Sequence, residues 1–254
     1  IDKKTIGLMA LNNEEQPKTD NLTSQLNQHY NFRSVDSNTD IPENIDVLLV
    51  SGGVDSIEES TISNLTSFLS EGKKILMTQS GVNTDIQLQQ AFPIESNIFE
   101  FLNKYDLDLQ KNLVLDSKCG NVQVQQSVGL FRMNRAVQYP FFPVVDTFNS
   151  KDSVAGIIVN KLEQILPLFP SEIKIDTVRN ENVLNVSTLF TSSNNSGLMS
   201  SNFMLSPDPQ QNPFLQLLGQ SGKVLSALSS LKGGGELMLI CLLYTSPSPR
   251  DQLQ

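Results

Sequence analysis

Residues 51 to 56 read Ser-Gly-Gly-Val-Asp-Ser and stand between an apolar run, DVLLV at 46–50, and a stretch with helical spacing. Glycines at a strand-to-helix corner leave backbone N–H groups open to a ligand, and the partial positive charge of a helix start favours an anion there. The chemistry these residue types and their spacing offer is therefore phosphate binding. Two neighbours oppose it. Glu58 and Glu59 fall in the first helical turn, where they compete for the same N–H groups and repel a polyphosphate. Ser56 and Glu59 have capping-box spacing, so Ser56 is expected to be the helix N-cap.

Other reactive types are few. The chain has one histidine, His29, and two cysteines, Cys119 and Cys241, too few for a thiolate or imidazole metal cluster of ordinary spacing. A nucleophilic Cys119 would have only His29 as a base, and it follows LDSK without the strand-turn-helix setting of a nucleophile elbow. His29 reads more simply as a residue at a helix C-terminus, near the last carbonyls. Asp106, Asp108 and Asp116 read as solvated loop carboxylates. The serines of SSNNSG (192–197) lack a second histidine to serve as a base. The aromatic run YPFFPVV (139–145) reads either as a core strand edged by prolines or as an exposed interaction surface, and the core reading is favoured. No catalytic, cofactor-binding or metal-binding residue is assigned, and no cofactor is expected.

The elements that must position these residues alternate between strand and helix in the first half, which favours an α/β layer fold with parallel strands. TIGLMAL (5–11) is a strand, Lys18 to Tyr30 a helix, and Asn31 to Val35 a weaker strand. DVLLV is a continuous apolar run of the kind buried on both faces of a parallel sheet. Ser56 to Glu71 is the strongest helix, with Ile62, Leu65, Phe68 and Leu69 on one stripe and Gly72 placed to stop it. KILMT (74–78) is the next strand. Ile98 to Tyr105 is a short amphipathic helix and Asn112 to Leu115 a strand. Asp116 to Pro143, rich in Gln, Asn and Val, is an extended or hairpin insertion. A helix over Ser153 to Leu166 and a strand over Asn185 to Thr191 follow. Residues 192–213 are expected to be loop, with strands at Phe214–Leu218 and Glu236–Ile240.

The chain of 254 residues can bury a large core, and its 39% hydrophobic and 18% charged content is that of a globular protein. Its net charge of −9, with basic residues scattered along the chain, argues against nucleic acid or an anionic membrane surface as partner. No apolar run reaches the roughly 18 residues of a membrane span. The chain does not begin with methionine and reads as a piece of something longer. At the other end CLLYTSPSPRD (241–251) reverse-translates into a run that resembles a transposon end and sequencing adapter. Residues 241–254 are therefore expected to be a scar, with 1–240 a single α/β domain, residues 94–150 an insertion, and the native chain continuing past Ile240.

Two family resemblances compete. The hexapeptide resembles the SGGxDS loop of the ATP pyrophosphatases, but in those enzymes the motif normally sits near the first strand of the domain, and here a strand and a helix come before it. A longer resemblance covers residues 46–231. DVLLVSGGVDSIEESTISNLTSFLSEGKKILM, FEFLNKYDLDLQKNLVLD, YPFFPVV, NKLEQILPLFPSEIKI and GQSGKVLSALSSL, in that order, are similar to the GldG-type auxiliary components of ABC transport systems associated with gliding motility. The usual Gly-Pro after the buried strand is Gly52-Gly53 here, and the last motif is degenerate at Gln220 and Val224.

The longer resemblance implies a mostly parallel sheet with flanking helices, related to glutamine-amidotransferase-like and intraflagellar-transport GIFT folds, without their catalytic triad. It implies a non-enzymatic scaffolding domain held on the extracytoplasmic (periplasmic) face of the inner membrane by helices outside this stretch. Its implied partners are an ATP-binding cassette ATPase and a permease. An ATP pyrophosphatase-like enzyme built on Ser51 to Ser56 and a carbohydrate- or peptide-binding module are the alternatives. Because GELMLI (235–240) would be cut off at a strand, an exposed sheet edge is expected there.

Overall fold

Apolar runs at three places build the centre of the sheet, and the computed structural model shows how they neighbour one another. It describes residues 3–11, 20–128, 131–149, 154–176, 179–208, 210–212 and 214–241. The first strands and helices are β1 (Thr5–Ala10), α1 (Asp20–Leu26), β2 (Asn31–Ser34), β3 (Val47–Ser51), α2 (Glu59–Ser70) and β4 (Lys74–Thr78). A small hairpin of β5 (Val82–Asp85) and β6 (Gln90–Pro93) follows, then α3 (Ile98–Asn103), β7 (Asp108–Leu109) and β8 (Leu113–Asp116). The rest comprises β9 (Cys119–Val128), β10 (Phe131–Pro143), α4 (Ala155–Val159), β11 (Ile173–Lys174), β12 (Val183–Thr191), β13 (Ser196–Met199), β14 (Val224–Leu231) and β15 (Glu236–Ile240).

Seven strands form the main sheet in the order β12-β14-β15-β4-β3-β1-β2. The pairs from β15 through β4, β3 and β1 to β2 are parallel, whereas β12–β14 and β14–β15 are antiparallel. The fold is thus mixed α/β with a large, mostly parallel sheet and few helices. β15 has a neighbour on each side, so the expected exposed edge at 235–240 does not exist.

Helix α2 covers one face through Leu65, Phe68 and Leu69, joined by Thr61 where sequence spacing pointed to Ile62, which is only partly buried. The helix ends as Gly72 predicts. At φ +80° its N–H bonds Leu69 O while the Lys73 N–H bonds Phe68 O, the paired closure of a Schellman motif. A second core lies under the hairpin β9–β10, where Tyr139, Phe141 and Phe142 pack with Phe169 and Phe214. A third joins β12 and β14 to α4 through Leu189, Leu225 and Val159.

Several expectations fail for identifiable reasons. The strongest helix begins at Glu59 with Glu58 at the N-cap position, and Ser56 does not cap it. The Asn97 side chain accepts from Ile57 N at 2.8 Å and donates to Ile57 O at 2.8 Å, which holds Ile57 out of the helix while its side chain is buried. The first helix is shorter than 18–30, spanning Asp20–Leu26 among the described residues.

The helix expected over 153–166 shrinks to Ala155–Val159, because Val145 and Ile165 exchange both backbone hydrogen bonds at 2.9 Å and draw the chain into a bridge. Phe214–Leu218, expected as a strand, forms a 3-10 turn over Phe214–Leu217 in which only Phe214 is buried. The loop expected at 192–213 contains β13, paired with β8. Of the proposed adapter scar, Cys241 is buried and residues 242–254 lie outside the described residues.

Candidate functional site

In open α/β sheets, ligands bind beyond the carboxyl ends of the strands where the strand order reverses. Here that point lies between β1 and β3, since β2 pairs on one side of β1 while β3 and β4 extend the sheet on the other. The Ser51–Ser56 corner leaves the sheet at this place. Its backbone, however, is already engaged. Gly52 N–H donates to Thr78 O at 2.8 Å, and Gln79 Nε2 donates to Gly53 O at 3.1 Å and to Ser80 O at 2.8 Å.

A Cβ on Gly52 would fall 1.9 Å from Gln79 Oε1 and 2.6 Å from Thr78 O, so glycine is required by the close approach of β3's end to β4's. Further along, Ser96 Oγ donates to Asp55 O at 2.8 Å and Asn97 occupies both backbone groups of Ile57. Asp55, Glu58 and Glu59 are exposed beside the corner, so an incoming phosphate would meet carboxylates. The N–H groups of Gly52 and Ile57 are thus taken by internal hydrogen bonds, and the exposed carboxylates beside the corner oppose an anion.

The neighbouring corner after β4 is equally packed. Ser171 Oγ accepts from Gly81 N at 2.9 Å, and a Cβ on Gly81 would lie 1.9 Å from Gln110 O. Ser171 N donates to Cys241 Sγ at 2.8 Å. Burial pushes the Cys241 thiol up to about 12, against the opposing effect of the Ser171 hydrogen bonds, so it stays protonated and inert at neutral pH.

The structure does not pair Cys119 with His29. His29 is exposed in the turn between α1 and β2 at one edge of the main sheet, whereas Cys119 opens β9 in a separate hairpin. Burial, then the backbone hydrogen bond with Tyr139 acting in the opposite sense, then the Asp116 charge, leave the Cys119 thiol above its ordinary value. That is the reverse of an activated nucleophile.

Two of the three carboxylates read as solvated are not. Asp116 is fully buried and accepts from Ser193 N at 2.6 Å, Ser193 Oγ at 2.6 Å and Lys118 N at 2.8 Å. It thereby ties the end of β8 to the Ser/Asn-rich tract 192–197 and to the start of β9. Asp106, 3% exposed with φ +58°, accepts from Asn180 N at 3.1 Å and lies 4.0 Å from Arg179 Nη1. Both carboxylates fasten loops, and a buried carboxylate with several donors around it needs no ligand to be stable.

The run 139–145 is core, as favoured. Tyr139 and Phe142 stack edge to face at 4.9 Å, as do Phe142 and Phe169 at 5.1 Å. Tyr139 Oη donates to Leu205 O at 2.6 Å, and burial raises its pKa well above the usual tyrosine value. A cavity of about 50 Å³ remains between Tyr139, Phe142, Phe169, Val122 and Leu205. That is far below the roughly 300 Å³ at which small-molecule pockets begin. Among the described residues no group of three or more His, Cys, Asp or Glu could hold a metal ion, and no helix is long and apolar enough to cross a membrane.

Comparison with known proteins adds what geometry alone does not. A sequence profile of the family described as "ABC-type uncharacterized transport system" matches residues 3–232. No curated protein sequence matches significantly. Among solved structures, the mmIFT52 N-terminal domain is similar at a TM-score of 0.58 and 12% identity, covering 94% of this chain and 86% of that one. A putative thua-like protein from Parabacteroides merdae aligns at 0.44 and 12% identity over 97% and 82% of the two chains. PurLQS from Thermotoga maritima aligns at 0.40 and 8% identity over 94% and 87%. The first similarity shows a shared fold and nothing more; the other two are too distant to show even that.

Proposed function

The chain belongs to the ABC-type uncharacterized transport system family, and from that premise we propose that it is a non-enzymatic scaffolding domain, of GldG type, in a transport system linked to gliding motility. An auxiliary role in a transport system follows from the family. The proposal adds that the domain sits on the extracytoplasmic face of the inner membrane, anchored by parts of the full-length protein beyond this stretch. It also adds that the domain meets the ATP-binding cassette ATPase and permease, with ATP hydrolysed by the ATPase. A GIFT-like placement of the fold is part of the same proposal, supported by the similarity to the mmIFT52 N-terminal domain.

The observation that carries the non-enzymatic reading is the closed corner at the sheet's switch point. Gly52 N–H is bonded to Thr78 O, and the space a ligand atom would need at Gly52 is filled by Gln79 Oε1. The alternative, an ATP-using enzyme built on Ser51 to Ser56, would need those groups free. Calorimetric titration of the folded domain with ATP and magnesium separates the two. The scaffold reading predicts no saturable heat, and a saturable isotherm at micromolar to millimolar ATP would overturn it.

A further inference from the structure

From the start of β7 to the residue before β8 the chain reads Asp108-Leu-Gln-Lys-Asn112, which puts a carboxylate, an ammonium and an amide within a short span. The segment is held against the chain around β11. Leu109 and Asp108 pair with Ile173 and Lys174, Gln110 N donates to Glu172 O at 2.9 Å, and Gln110 Nε2 donates to Asp108 O at 3.3 Å. It forms one wall of a cleft of about 430 Å³, completed by Phe99 of α3 and by Ser200 just past β13. That volume lies within the roughly 300–1,000 Å³ of small-molecule sites.

Three groups bring this cleft a bonding capacity that the protein itself does not take up. Asn112 is 6% exposed, and its Oδ1 accepts from Glu172 N at 2.9 Å, which fixes the orientation of the amide. Its Nδ2 has no partner among the described residues and is not sealed from solvent, so it points into the cleft that Asn112 lines. A side chain this deeply buried ordinarily has both ends paired. Asp108, the third of the carboxylates read as solvated, is half-buried, and its carboxylate has no hydrogen-bond or ion-pair partner among the described residues. Lys111 Nζ lies 5.1 Å from the Phe99 ring centroid and 2.5 Å from Glu95 Oε2. The Glu95 side chain is 81% exposed, so the pair is a surface ion pair of small worth, and the ammonium keeps donors for a ligand.

We propose that this cleft is a binding site for a small zwitterion, a free amino acid or a short peptide, whose ammonium meets Asp108 and whose carboxylate meets Lys111 and Asn112 Nδ2. The walls carry one charge of each sign. A lone anion would meet Asp108, a lone cation would meet Lys111, and a neutral polyol would desolvate both charges while pairing neither. A zwitterion pairs both. The Cα atoms of Asp108 and Lys111 are at most about 11 Å apart and the termini of a dipeptide at most about 7 Å, so side chains reaching inward close the difference. The hydrogen bonds to residues 172–174 set the wall beforehand, which lowers the ordering cost of binding. The site uses no residue of the Ser51–Ser56 corner and does not depend on the transport-system reading.

The test follows the side-chain amide resonances of the ¹⁵N-labelled chain during titration with L-alanyl-L-alanine and, separately, with L-alanine, each to about 10 mM. At least one of the two is expected to shift the Asn112 Nδ2 resonances saturably, and the tighter of them identifies the source as peptide or free amino acid. N-acetyl-L-alanine, which lacks the ammonium, and L-alaninamide, which lacks the carboxylate, should each bind at least about tenfold more weakly, the loss of one charged contact. Maltose should give no saturable shift.

Asp108→Asn, Lys111→Met and Asn112→Asp should each raise Kd by at least about tenfold. Asn112→Asp keeps the acceptor for Glu172 N while removing the donor that faces the cleft, so it separates binding from folding; its loss is read from the other cleft resonances. Far-ultraviolet circular dichroism checks that each variant is folded. No saturable shift with either zwitterion overturns the proposal. So does equal affinity for maltose or for the singly charged analogues, or an affinity that Asp108→Asn and Asn112→Asp leave unchanged.

Discussion

Gly52→Ala is expected to lower stability by about 3 kcal/mol, and the figure can be assembled from the contacts around it. The new methyl would stand 1.9 Å from Gln79 Oε1 and 2.6 Å from Thr78 O. The Gln79 side chain can swing away only by abandoning its hydrogen bonds to Gly53 O and Ser80 O, which are worth about 1 kcal/mol each. Thr78 O cannot move freely, because β4 is held between β3 and β15, and shifting that backbone costs about another 1 kcal/mol. For a chain of this size the loss corresponds to a fall in Tm of about 6–12 °C.

Gln79→Ala alone should cost about 2 kcal/mol, since it leaves the same two carbonyls without their donor. The double variant should cost about 3 rather than about 5 kcal/mol, because the two substitutions report one steric conflict and one set of hydrogen bonds. Urea unfolding followed by far-ultraviolet circular dichroism, with m-values compared, measures all three. A Gly52→Ala protein within about 0.5 kcal/mol of the parent, or strict additivity in the double variant, would refute the claim that this corner is a packed structural joint.

Other expectations follow from buried polar groups. Asp116→Asn should destabilise by about 2–3 kcal/mol, because an amide nitrogen replaces one oxygen among three donors in a site with no exposure. Ser193→Ala should cost less, about 1–2 kcal/mol, since its N–H bond to Asp116 survives, and the same urea assay ranks the two. Burial raises the folded-state pKa of Tyr139, and that of Cys241 from 9.0 to about 12. Groups raised in this way contribute stability that is complete below their unfolded values and lost as pH rises through the folded ones. The urea midpoint should therefore fall between about pH 9 and 12, and an unchanged midpoint at pH 11 would contradict the burial of these groups.

The strand-helix-strand unit from Val47 to Thr78 was legible because its signals are local. DVLLV is an uninterrupted apolar run, Leu65, Phe68 and Leu69 form a stripe, and Gly72 takes the positive φ that ends the helix. The order of strands that brings β15 between β14 and β4 was not, because that pairing joins segments more than 150 residues apart. β14 hid behind its serines. Ser226 and Ser229 in VLSALSSL are fully buried, with Ser226 Oγ bonded to Leu239 O at 2.8 Å, so a core strand carries the composition of a loop.

The start of α2 depended on Asn97, forty residues away, which overrode the capping-box spacing of Ser56 and Glu59. Asp116 was invisible for the same reason, since its donor Ser193 is 77 positions distant. Asp106 offered one local clue, a carboxylate directly after an amphipathic helix, where Asp tolerates the left-handed backbone it adopts.

The central claim, a scaffold within a transport complex, is tested most directly by purifying the affinity-tagged full-length protein from native membranes in mild detergent and quantifying what elutes with it. The account predicts an ATP-binding cassette ATPase and a permease in fixed stoichiometry, with ATPase activity lost when the ATPase subunit's own nucleotide site is disabled. Recovery of the protein alone, hydrolysing ATP in a manner abolished by substitutions in Ser51 to Ser56, would contradict it.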